Sequence, residues 1–239
     1  MPDDEVVPAD ETTPSALRAA WIEIGVVLAV GVFPHLVRAI VSFEESEEMP
    51  WPGPMSMWVS HSVTSLCIAA PVLYVMAKSG KPWAHFGLTR VRPAINLSVA
   101  GALFLITMIL SQATWGVLHR VMSLADYAED PSPAGSILDT ANPVLYVAVF
   151  VVAMAANAFA EELTIRGFLI PRLLDVGWNR VAAVAMPTFL FASYHLYQGV
   201  APVIVIAVSA LVESALFLVV RRLWPFVLAH LALNLFNSF

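Results

Sequence analysis

Glu161, Glu162 and Arg166 stand in the run NAFAEELTIRGFLIPR, Asn157 to Arg172, which is otherwise almost continuously apolar. Downstream, His195 closes FASYH, and His230 and Asn234 bracket HLALN. A carboxylate beside an imidazole, where water is restricted, can hold and deprotonate a water molecule. Two N–H donors one helical turn apart can stabilise an oxyanion. Spacing sorts the groups. Glu162 and Arg166 are at i and i+4, with the acid on the N-terminal side, the better orientation for a helical ion pair, whereas Glu161 points about 100° away. The expectation is that Arg166 neutralises Glu162 and leaves Glu161 free to meet His195. His230 and Asn234, also at i and i+4, can offer donors to one oxygen.

The elements that must carry these groups are membrane helices. Of 239 residues, 59% are hydrophobic and 13% charged, and the mean hydropathy of +0.77 is far above that of a water-exposed globular surface. The net charge of -6 lies largely in acids outside the apolar runs, at Asp3, Asp4, Glu5, Asp10, Glu11, Glu44, Glu45, Glu47 and Glu48. Nothing here suits nucleic acid. The single Cys67 offers neither a disulfide framework nor a Cys-based metal site.

A span takes roughly 20 apolar residues. The runs Leu17 to Val41, Met55 to Ala77, Ile95 to Leu118, Val144 to Leu174, Arg180 to Tyr197, Val200 to Val220 and Leu223 to Phe239 predict an all-α polytopic transmembrane helical bundle of about seven spans, between six and eight. Residues 1–16 read as an acidic disordered cytoplasmic tail, 17–143 as N-terminal transmembrane helices and 144–239 as the catalytic core. Lys78, Lys81, Arg90, Arg92, Arg172, Arg180, Arg221 and Arg222 fall in alternate loops. That bias places the N-terminus in the cytoplasm, with Trp51, Trp83, Trp178 and Trp224 near the interfaces.

Charges at bilayer depth cost at least ~2.5 kcal/mol each on insertion scales, so those retained face cavities, pair with each other or do chemistry. Counted from the cytoplasmic ends of their spans, Glu161 lies about 20 Å in, His195 about 23 Å, Glu213 about 12 Å, His230 about 10 Å and Asn234 about 16 Å. Singly, each is accounted for by an ion pair or an interhelical hydrogen bond; together they mark one site. Glu213 could tune His230, pair with Arg166 or face a polar groove. His35, Arg38 and His61 read as boundary residues that snorkel or pair locally, Glu23 as an inner-boundary group, and Asn157, Gln112 and Thr114 as packing contacts.

The three motifs have the forms EExxxR (Glu161 to Arg166), FxxxH (Phe191 to His195) and HxxxN (His230 to Asn234). In that order on separate spans they resemble the CPBP intramembrane proteases, also called the Abi or CAAX protease and bacteriocin-processing family. The resemblance covers roughly Val144 to Asn237. It implies an all-helical fold with catalytic residues in a membrane cavity, Glu161 activating water with His195, His230 and Asn234 holding the oxyanion, and Glu162 and Arg166 in support.

The implied activity is hydrolysis of a peptide bond in a membrane-associated or lipidated protein or peptide. No cofactor is favoured. Zinc on Glu161, His195 and His230 is the alternative, although no HExxH occurs. A proton-coupled transporter is disfavoured by the lack of internal repeats, and a non-catalytic bacteriocin-immunity protein by the presence of every motif residue. A short chain without an organelle signal points to a bacterial inner membrane.

Overall fold

The computed structural model describes residues 13–45, 54–122 and 140–238. Most of the expected acidic tail lies outside them, as do Glu47, Glu48, Trp51 and the acidic connection with Asp126, Glu129, Asp130 and Asp139. The described residues form a bundle of helices: α1 (Pro14–Gly31), α2 (Phe33–Glu45), α3 (Met55–Lys78), α4 (Pro93–Met122), α5 (Pro143–Glu162), a π-helical segment (Leu163–Leu169), α6 (Ile170–Asp175), α7 (Arg180–Ser193), α8 (Val200–Val220) and α9 (Leu223–Phe236). Short 3₁₀ turns occupy Trp83–Phe86 and Leu196–Gln198. The expected tail ends early, because Thr13 accepts the Ala16 N–H and Pro14 opens α1, a favourable start for a helix.

Five stretches are long and apolar enough to cross a membrane: Pro14–Phe43, Met55–Lys78, Pro93–Met122, Pro143–Asp175 and Val200–Val220. The other two expected spans, α7 and α9, are shorter, at 14 residues each, or about 21 Å. The first span is also broken. Pro34 has no N–H to return to the preceding turn, and the chain departs from helical geometry at Val32 before α2 begins.

Large apolar side chains cover the outside of the bundle; Val144 and Val219 are each 81% exposed. That surface suits lipid rather than water. Inside, α5 packs on α3 and α9, α4 on α8 and α9, and α7 on α8. The π-helical segment sits at the centre and touches α1, α3, α7 and α9. Every one of its seven residues is buried.

The loops rich in Lys and Arg gather at one end. Arg222 donates to Asn96 and to the Arg90 carbonyl, Leu223 N–H donates to the Gly87 carbonyl at 2.8 Å, and Trp224 donates to the Thr89 carbonyl. Nearby, Arg172 joins Glu23 at 2.7 Å and Asp175 at 3.0 Å, and His85 meets Asp175 at 3.0 Å. Glu23 is therefore a partner of Arg172 across 149 positions of sequence.

Candidate active site

The paired glutamates end α5 where the helix widens. Pro171 cannot donate a backbone hydrogen bond to the preceding turn, and the stretch just before it, Leu163–Leu169, is π-helical, a departure often found at functional sites. The wide turn carries Arg166 into the centre of the bundle, where its side chain is 1% exposed. There it lies between the Phe191 and Phe226 rings, 5.9 and 5.8 Å from their centroids.

Arg166 has two acidic partners. Its Nη1 donates to Glu162 Oε1, and its Nη2 donates to Glu213 Oε2 at 2.7 Å. Glu213 also accepts from the Thr107 hydroxyl. The network thus spans α4, α8 and the centre, and of the three roles open to Glu213 it fills two, pairing with Arg166 and lining a groove. Glu162 Oε1 also accepts from His230 Nδ1 at 2.9 Å. On the opposite ring edge, His230 Nε2 lies 3.4 Å from Glu161 Oε2.

His195 is held differently from what helical counting predicts. Helix α7 ends at Ser193, so His195 lies in the turn beyond it, at the start of Leu196–Gln198. Its Nδ1 is 2.8 Å from the Phe191 carbonyl. A carbonyl only accepts, so Nδ1 carries the proton, and in the neutral ring Nε2 keeps its lone pair. The Phe191, Tyr194 and Tyr197 rings surround the imidazole, with centroids at 4.9, 4.7 and 6.2 Å. No hydrogen bond joins His195 to Glu161 among the described residues; the side chain nearest Glu161 in the network is His230.

Glu161, His195, His230 and Asn234 nonetheless line one cavity of about 460 Å³. Glu161 Oε2 is buried and accepts no hydrogen bond from the described residues. Three residues expected at the membrane boundary line the same cavity: His35, Arg38 and His61. So does Asn157, expected from the sequence as a helix-packing contact. The break at Val32 and Pro34 brings the first two in, because it lets α2 lie over the Leu196–Gln198 turn. Hydropathy predicts one span over Leu17 to Val41 and foretells neither the break nor the path of α2.

A second cavity of about 390 Å³ opens between α4, α8 and α9. Trp115, Phe191, Ile206, Leu233 and Phe236 stand in its walls, with Gln112 and Glu213 among its polar groups. His195, Gln198, His230 and Asn234 line both cavities and form the wall between them. Thr114, by contrast, hydrogen-bonds the Leu110 carbonyl of its own helix. Among the described residues no group of three His, Cys, Asp or Glu side chains is gathered as ligands of one ion.

Residues 143–236 match the family model described as type II CAAX prenyl endopeptidase Rce1-like. That match spans α5 to α9 and contains all three motifs. No curated protein and no solved structure matches the chain.

Proposed function

We propose, proceeding from a chain whose residues 143–236 belong to the Rce1-like type II CAAX prenyl endopeptidase family, that this protein is an intramembrane endopeptidase of glutamic type. Its substrate is a membrane-associated or lipidated protein or peptide with a prenylated C-terminal segment. The observation that carries the reading is that Glu161, His195, His230 and Asn234 line one cavity, with Glu161 Oε2 buried and accepting no hydrogen bond from the described residues.

In this mechanism the lone pair of His195 Nε2 accepts one hydrogen of a water molecule and orients it, while Glu161 takes the other proton. The resulting hydroxide attacks the scissile carbonyl carbon, forming the new C–O bond. The carbonyl oxygen gains the negative charge, and the Asn234 amide and a protonated His230 Nε2 donate to it. Collapse breaks the C–N bond, and the proton held by Glu161 passes to the leaving amine. Glu162 acts by position. It fixes the His230 ring through Nδ1, and Arg166 fixes Glu162 in turn.

No metal enters this scheme. The protein sits in a bacterial inner membrane with its N-terminus in the cytoplasm. Purified protein in lipid nanodiscs, given a quenched fluorescent prenylated CAAX peptide, is expected to cleave it before and after exhaustive chelation. Activity that disappears with chelation and returns with stoichiometric zinc would overturn the metal-free mechanism.

A further inference from the structure

The polar cavity holds one cation that the mechanism does not use. Helix α2 is amphipathic at helical spacing: Phe33, Val37, Ile40 and Val41 form an exposed apolar stripe, suited to lipid. His35, Arg38 and Ala39 form the other face and line the cavity. Arg38 makes no ion pair among the described residues, in contrast to Arg166 and Arg172, which each have two acidic partners. The acid that shares its cavity is Glu161, the proposed base. Arg38 is exposed, and a guanidinium at a cavity wall without an acidic partner can take an anion, its planar fork suiting a carboxylate. His35 and His61 on the same walls add N–H donors.

The second cavity gives the direction. It lies across the wall formed by His195, His230 and Asn234, and its lining combines polar groups with the apolar Trp115, Ile206, Leu233 and Phe236. A peptide crossing that wall would place its reacting carbonyl beside Glu161, one end in polar surroundings and the other against Trp115, Ile206 and Leu233. We propose that Arg38 anchors the free C-terminal carboxylate of the substrate. The leaving fragment then occupies the cavity lined by Arg38, and the membrane-attached portion lies in the second cavity, against its apolar side chains.

This inference rests on the endopeptidase reading and is tested separately from it by binding. The Glu161→Gln protein, in nanodiscs of neutral phosphatidylcholine, is titrated against a labelled prenylated CAAX peptide ending in a free acid or in an amide. The acid is expected to bind about ten- to a hundredfold more tightly, the worth of a charge-assisted contact. Adding Arg38→Gln should abolish that preference, and Arg38→Lys should keep part of it.

Equal affinity for acid and amide, a preference that survives Arg38→Gln, or no binding of either peptide would overturn the proposal. So would an Arg38-dependent loss of binding caused by anionic phosphatidylglycerol without acid–amide discrimination, which would assign Arg38 to a lipid phosphate. Acid-selective binding by a protein that, with Glu161 intact, never cleaves the peptide would instead sink the endopeptidase reading and leave the carboxylate site standing.

Discussion

His195 Nδ1 donates to a main-chain carbonyl, so Nε2 is left as the acceptor that orients water, and loss of the ring should be felt in chemistry rather than in folding. His195→Ala is expected to lower kcat about 10²- to 10⁴-fold, and Asn234→Ala about 10²- to 10³-fold, with peptide affinity nearly unchanged. Steady-state cleavage paired with a binding titration separates the two effects. The buried charges behave differently. Glu213→Leu leaves one Arg166 contact unmade and should cost about 3 kcal/mol or more, whereas Arg166→Met with Glu213→Leu should recover part of that loss. Denaturation in detergent micelles measures both. A double variant no more stable than the single one would show that Glu213 does not act through Arg166. The Glu162–Arg166 pair was legible from i, i+4 spacing. The second acid was not, because Glu213 reaches Arg166 from another helix 47 positions away.

Elements explain why these residues meet. At Gly31, the last residue of α1, an added Cβ would lie 2.9 Å from Thr164 Cγ2 in the π-helical segment. Gly31→Ala should therefore destabilise the protein by about 1–3 kcal/mol through overpacking. Gly25→Ala, six residues earlier in the same helix and with nothing within 4 Å of its added Cβ, should be neutral or slightly stabilising. Thermal unfolding of the two variants side by side is the check, and equal Tm values would contradict this packing. Helical periodicity and hydropathy were enough to locate each apolar run. They did not reveal that α7 stops at Ser193, that the turn after Glu162 widens, or that α2 folds over the Leu196–Gln198 turn. Those features depend on contacts far apart in sequence, and local pattern carries no record of such contacts. For the same reason His35, Arg38 and His61 read as boundary residues until the fold placed them around Glu161.

At the scale of the whole molecule, an apolar exterior encloses a polar interior, and the Lys- and Arg-rich loops collect at one end. With that end in the cytoplasm, a membrane-impermeant maleimide should label Lys81→Cys, in a Cys67→Ala background, in inverted membrane vesicles and not in intact spheroplasts. Labelling only in spheroplasts would reverse the orientation. The composition made the membrane class legible at once, and three short motifs marked the helices of the site. Two cavities sharing one wall of His195, Gln198, His230 and Asn234 became visible only when the helices were assembled.

The central claim concerns Glu161, and single-turnover cleavage tests it most directly. Native protein and Glu161→Gln, both in nanodiscs and shown by thermal unfolding to be equally folded, are mixed in excess over the prenylated CAAX peptide. The expected result is a rate for Glu161→Gln at least about 10²-fold below native, with peptide binding retained. A variant that binds the peptide and cleaves it at close to the native rate would show that Glu161 is not the base.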